Sequence, residues 1–116
     1  MKKEPAIYLE HIAGCSLKIL QYTENITQND FMLNTLVQDA VIRNLEIIGE
    51  ATKQLDHDFR SKYSEIEWKK IAGMRDKLIH DYIGVDLWAV FKVVKDIIPE
   101  FHQQISDIIQ RESDGA

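Results

Sequence analysis

One cysteine, two prolines and five glycines are all that this 116-residue chain holds of those residue types. Cys15 alone can close no intrachain disulfide, and no Cys/His cluster has the spacing of a zinc site. So few glycines and prolines leave little room for the many turns of an all-β fold. No apolar run approaches the ~18 residues that a membrane span requires. Ile12-Ala13-Gly14-Cys15 looks superficially like a lipoprotein cleavage site, but Glu4, Glu10 and His11 interrupt what would have to be an apolar stretch. A cytoplasmic protein with no membrane contact is the expectation. Positive charge is also short: 14 Lys and Arg stand against 19 Asp and Glu, for a net charge of −5. That balance argues against non-specific coating of nucleic acid. Any RNA contact would need a local basic patch, for which Arg60, Lys62, Lys69, Lys70, Arg75 and Lys77 are available, partly offset by Glu65, Glu67 and Asp76. A solvated helix face accounts for those lysines equally well.

What is present is helical periodicity. Strand alternation, internal repeats and low-complexity segments are missing, and the length fits one domain, residues 1–116, with a single core. A first helix is expected from about Glu4 to Tyr22, with Pro5 tolerated in its first turn and Tyr8, Ile12, Cys15, Ile19 and Tyr22 as its buried stripe. A second is expected from near Asn29 to about Leu55, capped by Thr27 or Asn29. Its apolar face would carry Leu33, Leu36, Val37, Ala40, Ile47, Ile48 and Ala51. Residues 56–63 read as a charged connector, after which Ser64 and Glu67 fit a capping box for a third helix ending near Ile83, with Gly84 as its stop. Asp86 can cap a last stretch in which Leu87, Val90, Phe91, Val94, Ile97, Ile98, Phe101, Ile105, Ile108 and Ile109 recur at helical spacing. Pro99 should kink that stretch or split it in two, and residues 111–116 should fray. The fold class is therefore all-α, an antiparallel bundle of four long helices.

The third helix carries the chemistry. Between Gly73 and Gly84, residues 75–82 hold an arginine, an imidazole, a phenol and two carboxylates. Arg75 and Tyr82 are seven apart and share the apolar face. A guanidinium there needs a partner, because burying an unpaired charge is prohibitive. Glu46 and Glu50 of the second helix lie on the edge of its core face and are the natural partners for Arg75. A local Arg43–Glu46 pair is the plainer alternative. Asp76 lies four residues before His80, close enough to orient its ring. An imidazole can trade protons near neutral pH and an arginine can neutralise a phosphate, which together suit phosphodiester chemistry without a metal. His11, His57 and His102 read as ordinary surface or satisfied histidines.

Arg75, four residues, then His80-Asp81-Tyr82 matches the R-x4-H-x-Y motif of the HepT-like family within the HEPN superfamily. The resemblance extends to Arg43 through Ala51, to Ile66 through Arg75, and to Gly84-Val85-Asp86. It covers roughly Tyr8 to Phe101. Ile83, where the family often has an aromatic residue, and Glu67, where proline is common, depart from the pattern without removing a proposed catalytic group. The resemblance implies a HEPN-like bundle and a metal-independent endoribonuclease with no cofactor, the toxin of a type II or type VII toxin–antitoxin pair. In it Arg75 and His80 are catalytic, and Asp76, Glu46 and Glu50 support them. It also implies a homodimer with a composite cleft, an RNA substrate, and an MntA-type nucleotidyltransferase antitoxin that places AMP on Tyr82. The ten apolar positions of the last stretch exceed what one short helix needs, which adds to the expectation of a dimer. Two other functions remain open on the sequence: a non-catalytic nucleotide- or substrate-binding subunit of a nucleotidyltransferase complex, and a structural bundle whose polar residues only specify packing.

Overall fold

A computed structural model describes residues 4–79 and 86–115, with the backbone only for residues 75 and 77–79. Among the described residues there are seven helices and no strand: α1 (Pro5–Tyr22), α2 (Gln28–Leu33), α3 (Thr35–Gln54), α4 (His57–Lys62), α5 (Trp68–Ile79), α6 (Leu87–Asp96) and α7 (Ile98–Asp114). α1 packs on α3 and α7, α3 on α5, and α2 bridges α3 and α6. The four arms of the expected bundle are thus α1, α3, α5 and the broken pair α6–α7.

α1 keeps its expected span. Leu9, Ile12, Cys15, Ser16 and Ile19 are buried at the three- and four-residue intervals that align on one helix face. Thr23 closes the helix, its backbone N–H and its hydroxyl both donating to the Ile19 carbonyl at 3.1 and 2.7 Å. The chain then turns through Asn25, which adopts φ 60°, a left-handed conformation that asparagine tolerates better than most residues.

The expected second helix is two helices. α2 begins with a capping box in which the Asp30 N–H donates to the Thr27 hydroxyl and the Thr27 N–H to the Asp30 carboxylate. It stops at Asn34, which is extended and whose side chain accepts from the Val37 N–H at 3.0 Å to start α3. The break is stabilised from inside. The Gln38 amide is buried and donates to the Phe31 and Met32 carbonyls at 2.8 and 3.1 Å, the first of which also accepts from the Asn34 N–H at 3.3 Å. The bend also rotates the apolar register. Val41, Leu45, Ile48 and Ala51 face the core, whereas Leu33 and Leu36 are 85% and 78% exposed. Those two leucines were expected inside.

The connector is itself partly helical: Asp56 caps α4 by accepting from the Phe59 N–H at 2.8 Å. Ser64 does not begin the third helix, since α5 starts at Trp68. Asp86 does cap α6, accepting from the Ala89 N–H at 3.1 Å. α6 ends at Ile97, and Pro99 sits in the first turn of α7, where its missing N–H costs nothing. Val90, Val94, Ile98, Phe101, Ile105 and Ile108 are buried within this one chain, and Leu87, Phe91, Ile97 and Ile109 are partly buried against the same core, so most of the apolar stripe is used inside the chain. The expected frayed tail is also corrected: α7 continues to Asp114. The Glu112 carboxylate accepts from the Tyr63 hydroxyl and from Lys62 Nζ, and Arg111 stands 3.8 Å from Glu65.

Candidate active site

The motif helix is fixed at its start. Trp68 is 5% exposed, and its indole N–H is shared between the carbonyls of Arg60 and Tyr63 at 3.1 and 3.0 Å. Arg60 Nε in turn donates to the Leu55 carbonyl at 2.9 Å. The short α4 is thereby tied to the end of α3 on one side and to the first residue of α5 on the other. Ile71, Ala72 and Met74 are buried, and α5 lies along α3.

Arg75 follows Ile71 by four residues and Ala72 by three. Its backbone position is therefore on the core-facing side of α5, as the periodicity required. Its side chain, and with it the expected contact to Glu46 or Glu50, lies outside the described residues. So do His80 and Tyr82 entirely, with Ile83 and Gly84, and hence the Asp76–His80 contact.

The supporting carboxylates are described. Asp76 is exposed, and its Oδ2 stands 3.7 Å from Lys53 Nζ on α3; the same ammonium lies 3.7 Å from Glu50 Oε1. Lys53 thus sits between two of the three carboxylates that the sequence singled out. It was missed because a lysine three residues after a glutamate reads as an ordinary helix-surface pair. Its value comes only from the neighbouring helix. Pairs this exposed contribute about 0–1 kcal/mol each, so Lys53 affects the local field more than the stability.

Glu46 and Glu50 also line a groove of about 560 Å³ between α1 and α3, shared with Tyr8, His11, Arg43 and Gln54. His11, read from sequence as an ordinary histidine, lies in that groove. The other two have hydroxyl partners: His102 Nδ1 is 2.7 Å from the Ser16 hydroxyl, joining α7 to α1, and His57 Nε2 is 3.3 Å from the Ser61 hydroxyl.

Three residues of the expected basic patch have partners, and the side chains of Arg75 and Lys77 lie outside the described residues. Arg60 is used on the backbone, Lys62 pairs with Glu112 at 3.0 Å, and Lys70 lies 3.6 Å from Glu67. Among the described residues no group of three His, Cys, Asp or Glu side chains is placed to hold a metal ion, and no helix is long and apolar enough to cross a membrane.

Comparison with known proteins bears on the same segments. The family model described as "Ribonuclease HepT-like" matches residues 12–108, a span that takes in α3, the whole of α5 and the Arg75–Tyr82 motif. A protein of Caldanaerobacter subterraneus subsp. tengcongensis named "Putative RNase" is 43% identical over 110 residues, covering 95% of this chain and 98% of that one. "Probable ribonuclease HepT" of Thermococcus cleftensis is 48% identical over 99 residues, 85% of this chain and 90% of that one. A protein of Methanocaldococcus jannaschii named "Gamma-glutamylcyclotransferase and putative RNase" is 47% identical over 110 residues. This chain spans 95% of its own length in that match but half the length of that relative. No solved structure matches the chain. With a family match over residues 12–108 and two of these relatives matched along nearly their full lengths, the chain belongs to the HepT-like ribonuclease family.

Proposed function

We propose that the chain is a metal-independent endoribonuclease acting as the toxin of a toxin–antitoxin pair, with His80 and Arg75 as its catalytic residues. His80 serves as general base or acid at the ribose 2′-hydroxyl, a role typically worth about 10²- to 10⁴-fold in rate. Arg75 holds the charge of the phosphorane-like transition state, the kind of preorganised electrostatics that usually dominates catalysis. Asp76 orients His80, and Glu46 or Glu50 holds Arg75. The observation that carries the reading is that the family match includes Arg75-x4-His80-x-Tyr82, with Arg75 on a helix pinned at Trp68.

A second copy completes the site. Leu33 and Leu36 support this part of the reading, since two large apolar side chains this exposed on neighbouring turns favour burial against a partner. Control comes from an MntA-type nucleotidyltransferase. The Tyr82 oxygen attacks the α-phosphorus of ATP, pyrophosphate leaves, and the phenolic proton passes to solvent. The AMP so attached carries one negative charge to where Arg75 receives the RNA phosphate and competes with substrate there.

The test is cleavage of single-stranded RNA by the purified protein in EDTA. Activity should persist in the chelator, and His80→Ala should abolish it while the helical circular dichroism stays unchanged. A strict requirement for added magnesium, or full activity in His80→Ala, overturns the mechanism. RNA binding without any cleavage would instead mark a substrate-binding subunit. For control, mass spectrometry after co-expression with the nucleotidyltransferase should find an AMP adduct on Tyr82 with loss of activity. An unmodified Tyr82, with Tyr82→Phe still neutralised, would reduce inhibition to binding alone.

A further inference from the structure

Between α5 and α6 lies a groove of about 430 Å³ that the motif residues do not account for. Ile71 and Met74 of the motif helix form one wall, Ala89 and Val93 of α6 with Ile97 just after it line the other, and Lys70, Lys92 and Asp96 complete its lining. Lys70 is engaged with Glu67 at 3.6 Å. Lys92 is exposed and makes no ion pair among the described residues. One turn before Lys92, on the same face of α6, Trp88 is 54% exposed. Asp86 fixes this first turn of α6 by capping it, and the chain that enters it is the segment carrying His80 and Tyr82.

A half-exposed indole one turn from an uncommitted ammonium, beside an apolar groove, suits one class of ligand in particular. Aromatic faces stack unpaired bases without sequence preference, and a lysine at one turn's distance meets the backbone phosphate. Of the charged side chains that line the groove, Lys70 is held by Glu67 and Asp96 is the single carboxylate, which leaves Lys92 as the cation that can meet a phosphate. We propose that Trp88 and Lys92 form a substrate-positioning subsite: an unpaired base of single-stranded RNA stacks on the Trp88 indole while its phosphate meets Lys92, along the groove walled by the motif helix. This rests on the ribonuclease reading above and adds to it residues that hold the strand.

The molecule supplies its own reporter. Of its two tryptophans, Trp68 is buried with its N–H bonded and Trp88 is exposed, so a change in indole emission on ligand binding reports Trp88. The probe is a short 2′-O-methyl oligoadenylate, whose blocked 2′-oxygens cannot serve as nucleophiles. Binding to the wild type should quench the emission. Trp88→Ala should abolish the quench and raise Kd about tenfold, within the range known for base–aromatic stacking. Trp88→Phe should stay within about threefold. Lys92→Ala should reduce the slope of log Kd against log salt by about 0.7, the loss of one single-strand phosphate contact. An unquenched wild type that binds the probe, or an unchanged Kd in Trp88→Ala, overturns the proposal. So does a Trp88→Ala protein whose oligomeric state changes in light scattering while its Kd does not, since the face would then lie between copies of the chain. The two readings fail separately. A protein that cleaves RNA with no role for Trp88 loses only the subsite, and one that binds the probe through Trp88 but cuts nothing loses only the catalytic assignment.

Discussion

Replacing Tyr63 by phenylalanine removes one oxygen and leaves the buried ring in place. In the wild type that hydroxyl donates to the Glu112 carboxylate, while Lys62 and Arg111 lie over the ring at 5.5 and 5.9 Å. Hydrogen bonds to charged groups contribute about 1.5–3 kcal/mol when well buried. Glu112 keeps a third of its side chain in solvent, so screening brings the value to or below that lower limit, about 1–1.5 kcal/mol. For a domain of this length, each kcal/mol moves Tm by about 4 °C. Thermal denaturation followed by circular dichroism should therefore place Tyr63→Phe about 4–6 °C below the wild type.

The pH dependence is a second, independent handle. The bonds from Tyr63 and then Lys62 hold the Glu112 carboxyl below its ordinary range. A carboxyl whose folded pKa is depressed stabilises the fold above its unfolded pKa, near 4.3, and that stabilisation is lost as pH falls through the folded value. The Tm gap between wild type and Glu112→Gln should thus be constant above about pH 5 and close as pH is lowered through the carboxylate range. At the alkaline end the sign reverses. Burial first, and then the bond to Glu112, raise the Tyr63 phenol, while the bond and charge of Glu112 raise Lys62. Their contribution is present below about pH 10 and fades above it. A Tyr63→Phe protein that melts within a degree of the wild type, or a Glu112→Gln gap that is flat across the acid range, would refute the reasoning.

Other outcomes follow from single contacts. Leu33→Asp with Leu36→Asp should convert a dimer to a monomer in light scattering while leaving the helical content unchanged; a dimer that survives both changes is built on another face. Gln38→Leu removes one of two donors from the Phe31 carbonyl and the amide donor from the Met32 carbonyl and should lower stability by about 1–3 kcal/mol in urea denaturation, whereas no change would mean that water replaces the amide. Burial pushes the Cys15 thiol up, partly offset by Lys18 and Arg43. At neutral pH Cys15 should therefore react with a disulfide reagent far more slowly in the native protein than in denaturant, and equal rates would contradict its burial. Asp76→Asn should cost under about 1 kcal/mol, as exposed pairs do; if it also lowers cleavage far more than Lys53→Met does, Asp76 acts on the motif and not merely on Lys53.

The fold class was legible because helical spacing and the shortage of glycine and proline point the same way. Where the reading failed, a tertiary contact decided the outcome. Leu33, Leu36 and Val37 fall on one helical stripe, so periodicity joins α2 to α3. The break was signalled more faintly by Asn34, a good cap residue, and it holds because the Gln38 amide reaches back to Phe31 and Met32. No local pattern announces that bond. The tail behaves likewise. Residues 111–114 look like a polar end, yet α7 extends through them, where Glu112 meets Tyr63 across 49 residues of sequence. Lys53 is the same case at the candidate site: its pairing with Asp76 joins two helices whose register the sequence alone leaves open.

These long-range contacts converge on the motif helix. Glu112 holds Tyr63, the carbonyl of Tyr63 receives the indole N–H of Trp68, and Trp68 is the first residue of α5. Two turns further on comes Arg75, directly after the buried Met74. In the proposed mechanism Arg75 meets a developing phosphate charge, and such a side chain loses most of its effect if it can drift, because electrostatic stabilisation depends on groups already in place. Anchoring a helix by one buried indole on a short capped turn, and that turn by a carboxylate from the far end of the chain, fixes the register of α5 at little cost in core volume. The departures from local rules in this protein are thus not scattered. The short α4, the unexpectedly ordered tail and the late start of α5 belong to one support that sets where the motif helix begins.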